Sequence, residues 1–327
     1  MIEKLTIKNF KSIKELELPC RKLNVFIGDP NSGKSNIIEA LALQSQNAFH
    51  QELNKDIFRY KTLGDLFYDF NINQPIEVIT NEKQSKLVYA IKEDGSPENT
   101  FNFIPDISKP DQILSHISHD GKTHGGHYGK TNVHYYEYKR IKSFFHNYGP
   151  HLSVPFGENL PNLLLANPTY KKWVSEFLQS KGLTLTLKPA ENDMAVSKFI
   201  DGEIYSYPYF TLSETLQRII FYNIALMSNK DSVLLFDEPE SNTFPFYTKF
   251  LAERIALDES NQFFITTHNP YLLLSLIEKS KASNLNVCYV EMKDYQTKVT
   301  ALNEIQISQV LDFNSDVFFN FNRIIEA

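Results

Sequence analysis

The chain has 327 residues, 42% of them hydrophobic, enough apolar material for a large core in one elaborate domain or two, which excludes a disordered or fibrous chain. A net charge of −6 supplies no overall positive field, so any contact with nucleic acid has to be local. Two cysteines, Cys20 and Cys288, are too few for a disulfide framework or a four-thiolate zinc site and are expected as buried small residues in a reducing compartment.

The N-terminus, Met1-Ile2-Glu3-Lys4-Leu5, carries no signal peptide, and no apolar stretch reaches the roughly 18 residues of a membrane helix, so a cytoplasmic location without a membrane partner is expected. Ile2, Leu5, Ile7 and Phe10, then Ile13, Leu16 and Leu18, recur at mostly two- and three-residue steps, predicting two strands joined near Asn9-Phe10-Lys11-Ser12. Leu23 to Ile27 reads as a third strand and Asn36 to Leu43 as a helix. Between them Gly28-Asp29-Pro30-Asn31-Ser32-Gly33-Lys34-Ser35 fits the phosphate-loop pattern G-x-x-x-x-G-K-S/T in the strand–loop–helix context it requires. Its glycines permit positive φ and close backbone approach, so amides at a helix N-terminus can point at a phosphate. Lys34 adds a point charge, and Ser35 a hydroxyl suited to Mg²⁺.

Short alternating runs from Glu77 to Phe103, such as Lys86 to Lys92 before the turn Glu93-Asp94-Gly95, predict further antiparallel strands of an N-terminal lobe. Between about Ile104 and Ile200 prolines and glycines mark a loop-rich stretch, with a helix expected near Tyr170 to Lys181; this region reads as an insertion. The organisation expected is therefore 1–103, an N-terminal lobe with the phosphate loop; 104–204, an insertion; and 205–327, a C-terminal lobe.

Seven of nine histidines fall between His116 and His151, including His116-x-x-His119 and His124-Gly125-Gly126-His127. Two such pairs could bind zinc, but their spacing in a glycine-rich stretch is weak evidence, and a solvated loop is the favoured reading. Lys122, Lys130, Lys139, Arg140 and Lys142 are interleaved there with Tyr128, Tyr135, Tyr136 and Tyr138, a basic-aromatic mix over 116–142 that could meet nucleic acid or a partner protein.

Leu216, Ile219, Ile220 and Ile224 predict a buried helix leading into the strand Val233-Leu234-Leu235-Phe236, which ends in Asp237-Glu238-Pro239. A further strand, Phe263-Phe264-Ile265, ends in Thr266-Thr267-His268. Asp237 at a strand end can hold Mg²⁺ through its water shell, and Glu238 is placed to polarise an attacking water. His268 would stand on the same sheet edge, where open α/β sheets bind ligands and where it could donate to a γ-phosphate. Phosphate loop and acidic strand end together describe an ATP hydrolase.

The order of glycine loop, Leu212-Ser213-Glu214-Thr215-Leu216-Gln217-Arg218, Asp237-Glu238-Pro239-Glu240 and Thr267-His268 is similar to the ABC-type ATPase heads of the SMC, RecF and OLD families, with 24 residues from Ser213 to Asp237 and 31 from Asp237 to His268. Ile7-Lys8-Asn9-Phe10-Lys11-Ser12-Ile13 and the loop form Asn31-Ser32-Gly33-Lys34-Ser35-Asn36 resemble that group as well. The resemblance covers about 1–75 and 205–300. It implies an α/β P-loop fold of the ABC/SMC-head type, with an antiparallel N-terminal lobe, a parallel-sheet lobe and an insertion. It also implies ATP and Mg²⁺ as cofactors, held by Lys34, Ser35 and Asp237, with Glu238 as hydrolytic base and His268 as γ-phosphate sensor. Lys11 and Ser12 match a segment that often lies near the base. Ser213 would act in trans across a head-to-tail homodimer that sandwiches ATP. The usual signature has a glycine after this serine, where the chain has Glu214, so Ser213 stays open between that role and a helix cap. Arg59 stays open between a phosphate-reaching arginine and a surface salt bridge; no glutamine is placed for the lobe, Gln44 falling on the helix after the loop and Gln74 being only a weak candidate. No Toprim nuclease is expected after Val290-Glu291-Met292-Lys293-Asp294. The function so implied is an ATPase whose head dimerisation controls a separate effector, a nuclease or toxin, in bacterial anti-phage defence. A RecF-like DNA-repair ATPase and an ATP-binding scaffold with little turnover are the alternatives.

Overall fold

The computed structural model describes residues 1–45, 48, 52–81, 83–90, 100–106, 109, 113–125 and 131–325. In chain order the elements are β1 (Lys4–Phe10), β2 (Ile13–Pro19), β3 (Leu23–Gly28), α1 (Lys34–Ala42), β4 (Ile76–Thr80), β5 (Gln84–Ala90), β6 (Thr100–Ile104), β7 (Ser115–Ile117), β8 (Thr123–Gly125) and β9 (Val133–Tyr136). There follow α2 (Leu160–Ala166), α3 (Pro168–Gln179), β10 (Thr184–Lys188), β11 (Asp193–Ile200), β12 (Glu203–Pro208), α4 (Glu214–Ser228), β13 (Val233–Asp237) and α5 (Pro245–Ala256). The chain closes with β14 (Gln262–Thr266), α6 (Pro270–Lys279), β15 (Leu285–Lys293), β16 (Gln296–Ala301), α7 (Glu304–Phe313) and α8 (Phe321–Ile325).

The described residues form three sheets. β2-β1-β4-β5-β6-β7-β8 form an antiparallel sheet, β10-β11-β12 a small one, and β16-β15-β3-β14-β13-β9 the central sheet. In the central sheet β15, β3, β14, β13 and β9 run parallel, and only β16 is antiparallel. Parallel strands covered on both faces read as unbroken apolar runs, which is why Val233 to Phe236 shows no polar alternation. The alternation is instead between two cores. Leu234 and Phe236 of β13, Val25 and Ile27 of β3, and Phe263 and Ile265 of β14 join the core that also takes in α4, α5 and α6. Val233 and Leu235, Phe26, and Phe264 point the other way, into a core shared with α1 and the antiparallel sheet. Each buried Leu or Phe contributes about 1.5–3 kcal/mol, so these two layers fix the strand order.

Among the described residues the predicted strands and helices appear close to their expected places, Ile91 and Lys92 lying outside them, and the fold is the expected α/β one with an antiparallel and a parallel sheet. The phosphate-loop strand β3 is central in the parallel sheet, although it comes early in the chain. Of the stretch 104–204, β7 and β8 extend the antiparallel sheet and β9 pairs with β13, so the two large sheets themselves draw on that stretch as far as Tyr136. Hydrogen bonding explains this: β13 needs a partner on its outer edge, and Val133 to Tyr136 supplies it. The turn Glu93-Asp94-Gly95 lies outside the described residues.

Candidate phosphate-binding site

Register carries the site residues to one edge of the central sheet. Asp237 pairs with Thr266, and Thr266 with Phe26, so β13, β14 and β3 end together. From β3 the chain turns into α1 through Gly28 and Gly33, both at positive φ. A Cβ on Gly28 would lie 2.0 Å from the Val290 carbonyl oxygen of β15, and one on Gly33 2.0 Å from Thr297 Oγ1, so both positions are closed to larger residues. No side chain caps α1 at Gly33; Asn36 N donates back to Gly33 O at 3.0 Å, and the amides before it at the helix N-terminus suit an anion.

Lys34 curls over the loop, its ammonium donating to the carbonyls of Gly28 at 2.9 Å and Asp29 at 2.7 Å. Burial holds its pKa below the ordinary lysine value, against the opposing pull of Glu238, Asp237 and Asp29. Ser35 Oγ donates to Asp237 Oδ1 at 3.1 Å, joining residues 202 apart in the chain. Thr266 Oγ1 donates to the same oxygen. Burial pushes the Asp237 carboxyl up, with the Thr266 and Ser35 hydroxyls opposing it. Glu238 sits at φ 46°, uncommon for a residue with a Cβ, with its amide on Thr266 O at 3.2 Å and Thr266 Oγ1 at 3.0 Å. The turn aims its carboxylate at His268, whose Nδ1 is 2.9 Å from Glu238 Oε1. Ser241 Oγ donates to Glu238 Oε2 at 3.3 Å. Expected on one sheet edge, Asp237, Glu238 and His268 are thus brought together with Ser35 and Lys34.

Asn31, Ser32, Gly33, Lys34, Ser35 and Asn36, with Lys11, Ser12 and Glu238, line one cleft of about 810 Å³. Ser12 and Asn36 are tied by a 2.7 Å hydrogen bond. Lys11 is paired to Glu39, a carboxylate 3% exposed that also receives Arg59 Nε at 2.8 Å and Nη2 at 2.6 Å. Arg59 therefore makes a salt bridge and lines the phosphate cleft at once. Gln44 is buried, donating to Val78 O and Ser85 Oγ away from the cleft. Gln74 accepts Asn9 Nδ2 through its backbone carbonyl. Ser213 is the N-cap residue of α4 but makes no side-chain cap bond, and Thr215 instead donates to Asn242 O at 3.3 Å. Glu214, in the glycine's place, accepts Arg218 Nη2 at 3.1 Å.

Among its described residues the basic-aromatic stretch is not one surface. Tyr135 and Tyr136 are buried in β9, Lys122 pairs with Asp120 and Lys139 with Asp56. His116 meets Asn102 at 2.8 Å, His119 packs on Phe101 and Tyr89, and His134 is buried, where desolvation lowers its pKa to about 4. Gly126, His127, Tyr128, Gly129 and Lys130 lie outside the described residues. No group of three or more His, Cys, Asp or Glu converges on a metal position among the described residues. Burial pushes both thiols, of Cys20 and Cys288, up to about 12. No helix among the described residues is long and apolar enough to cross a membrane.

Sequence reasoning missed three contributors. Thr297, on β16, accepts or donates to Ser12 Oγ at 2.6 Å and donates to Ser32 O at 3.0 Å, bracing the loop from the far end of the chain. Thr266 was seen only as a strand end, and Glu39 only as a helix position. The one local signal was the Thr266-Thr267-His268 run itself.

A family model described as an AAA ATPase domain matches residues 1–198, and one described as an AAA domain, putative AbiEii toxin, Type IV TA system, matches residues 157–275. An ATP/GTP phosphatase of Helicobacter pylori (strain ATCC 700392 / 26695) is 29% identical over 90 residues, which are 24% of this chain and 24% of that protein. The chain thus spans about a quarter of the length of this curated relative. Among solved structures, an SMC head bound to the C-winged helix domain of ScpA aligns with TM-score 0.53 at 16% identity, over 94% of this chain and 99% of that one. An SMC head with an extended coiled coil, bound to the C-terminal domain of ScpA derived from Pyrococcus furiosus, gives 0.50 at 14%, over 95% and 98%. At such identities the likeness is one of fold.

Proposed function

Since the chain belongs to the family described as an AAA ATPase domain and shares the fold of SMC heads, we propose that it is an ATPase head of the SMC, RecF and OLD kind that hydrolyses ATP to ADP and phosphate at the cleft between α1 and β13. The observation that carries this is the 3.1 Å contact of Ser35 with Asp237, which unites the phosphate loop with the acidic strand end. A hydroxyl, one carboxylate, phosphate oxygens and water make an oxygen set that fits Mg²⁺, and Ser35 and Asp237 are the residues that would hold it. When bound, Mg²⁺ neutralises charge on the β- and γ-phosphate oxygens.

In this reading the α1 amides and Lys34 cradle the phosphates, the Lys34 ammonium exchanging loop carbonyls for phosphate oxygens. Glu238 accepts a proton from the attacking water, whose oxygen bonds to the γ-phosphorus as the bond to the bridging oxygen of ADP breaks. His268, now on Glu238, turns its donor to the γ-phosphate.

Head-to-tail dimerisation is part of the proposal. Ser213 and the α4 N-terminus would cap the nucleotide of a second copy, with Arg218 offsetting the charge of Glu214. Control of a separate effector, in anti-phage defence, is supported by a family description naming a toxin system and by solved heads that are bound to ScpA domains.

Glu238→Gln tests the chemistry. The variant should bind ATP as the wild type does, hydrolyse it at least ~100-fold more slowly and elute as a dimer with ATP. An unchanged rate rejects Glu238 as base, and a monomer under saturating ATP rejects the sandwich.

A further inference from the structure

The cleft runs past Lys11 and Ser12 to a segment the hydrolytic chemistry does not use. Within it Phe67 is buried and bridged to Phe10, whereas Phe70 lines the cleft and is 69% exposed. Asp69 and Phe70 both have positive φ, 48° and 56°. Left-handed backbone is an outlier for a bulky aromatic and persists only where surroundings over-determine it. Here they do. The Thr62–Asp65 capping box starts the segment, Lys11 N donates to Leu66 O at 2.8 Å, and Asn9 Nδ2 donates to Asn71 O at 3.0 Å and Gln74 O at 2.7 Å. The ring rests beside Gly64, where an added Cβ would come within 3.8 Å of its Cδ1. A loop pinned from both sides therefore keeps an aromatic ring open at the mouth of a phosphate-loop cleft.

We propose that Phe70 is a stacking platform for the base of a purine nucleoside triphosphate whose phosphates lie on the Gly28–Ser35 loop. The inference rests on the reading of that loop as an ATP site. Stacking engages the π face of a base and not its edge, so ATP and GTP are both ligands of the platform. Pre-placement of the ring by strained, hydrogen-bonded backbone lowers the ordering cost of binding.

Calorimetric titration of the full chain with MgATP, MgGTP and inorganic tripolyphosphate tests it. Phe70→Ala should weaken both nucleotides by roughly tenfold or more and leave tripolyphosphate unchanged. Because Phe70 is exposed, the variant keeps its core, which a thermal melt checks. Phe70→Trp should keep nucleotide affinity, with an indole emission that responds to ATP and not to tripolyphosphate, relative to a wild-type blank carrying Trp173 alone. If Phe70→Ala retains the wild-type preference for ATP over tripolyphosphate, the platform is overturned while the ATP site stands. If the wild type binds neither nucleotide nor tripolyphosphate, the loop reading falls and the platform with it.

Discussion

Glu240 shows how much one side chain can be asked to do at this sheet edge. It is 2% exposed; one carboxyl oxygen accepts Thr267 Oγ1, and the other is buried without a hydrogen-bond partner. Burial raises its pKa to about 7, against the Thr267 hydroxyl. A carboxyl whose folded-state pKa lies above its unfolded value stabilises the fold fully in acid, and that contribution is lost as pH rises from the ordinary carboxylate range to about 7. Glu240→Gln, which cannot ionise, should therefore flatten the fall in Tm between about pH 5 and pH 8, the wild type losing at most about 3 kcal/mol more over that window. Parallel melting curves of the two proteins across this range would show the same slope if Glu240 does not titrate there. The carboxylate was visible in the sequence as part of Asp237-Glu238-Pro239-Glu240, but its burial was not. A charged residue beside a turn is solvated far more often than it is enclosed.

At the level of elements, the fit of β3 between β14 and β15 depends on a bare Gly28. Gly28→Ala would drive a methyl into the Val290 carbonyl, at a φ of 148° that residues with a Cβ avoid. The expected cost is about 3 kcal/mol or more, read as a Tm lowered by roughly 5–10 °C. An unshifted melt would mean that β15 can slide away from β3. Both glycines of this loop were legible as residues, and the strand–loop–helix unit followed from its pattern. What packs against them was not legible, because β15 and β16 come more than two hundred residues later and pair through backbone that no motif announces. Their turn, Asp294-Tyr295, has positive φ at both residues, 51° and 59°, a geometry usually signalled by Asn-Gly, so the hairpin carries no sequence flag. β9 was hidden for a related reason. Its Val133-His134-Tyr135-Tyr136 sits among histidines, lysines and tyrosines that read as a polar surface until β13 claims it.

Across the whole molecule, the two cores meet at the central sheet, and that sheet is woven from distant parts of the chain. A fragment ending at residue 280 would keep β3, β13 and β14 but lose β15, β16 and the Thr297 brace on the phosphate loop. It should bind no nucleotide and melt without a cooperative transition; nucleotide binding by the fragment would show the loop to be self-sufficient. The same topology orders events on the ribosome. β1 and β2 can pair as soon as they emerge, but β3, finished at Gly28, waits for β14, which begins at Gln262. At roughly 5–20 residues per second that wait is on the order of tens of seconds, during which this apolar strand lacks both of its sheet partners, β14 and β15. Nucleotide can therefore act as a folding ligand for the glycine loop only after β14 has been made, because until then the strand that carries the loop has no place in the central sheet.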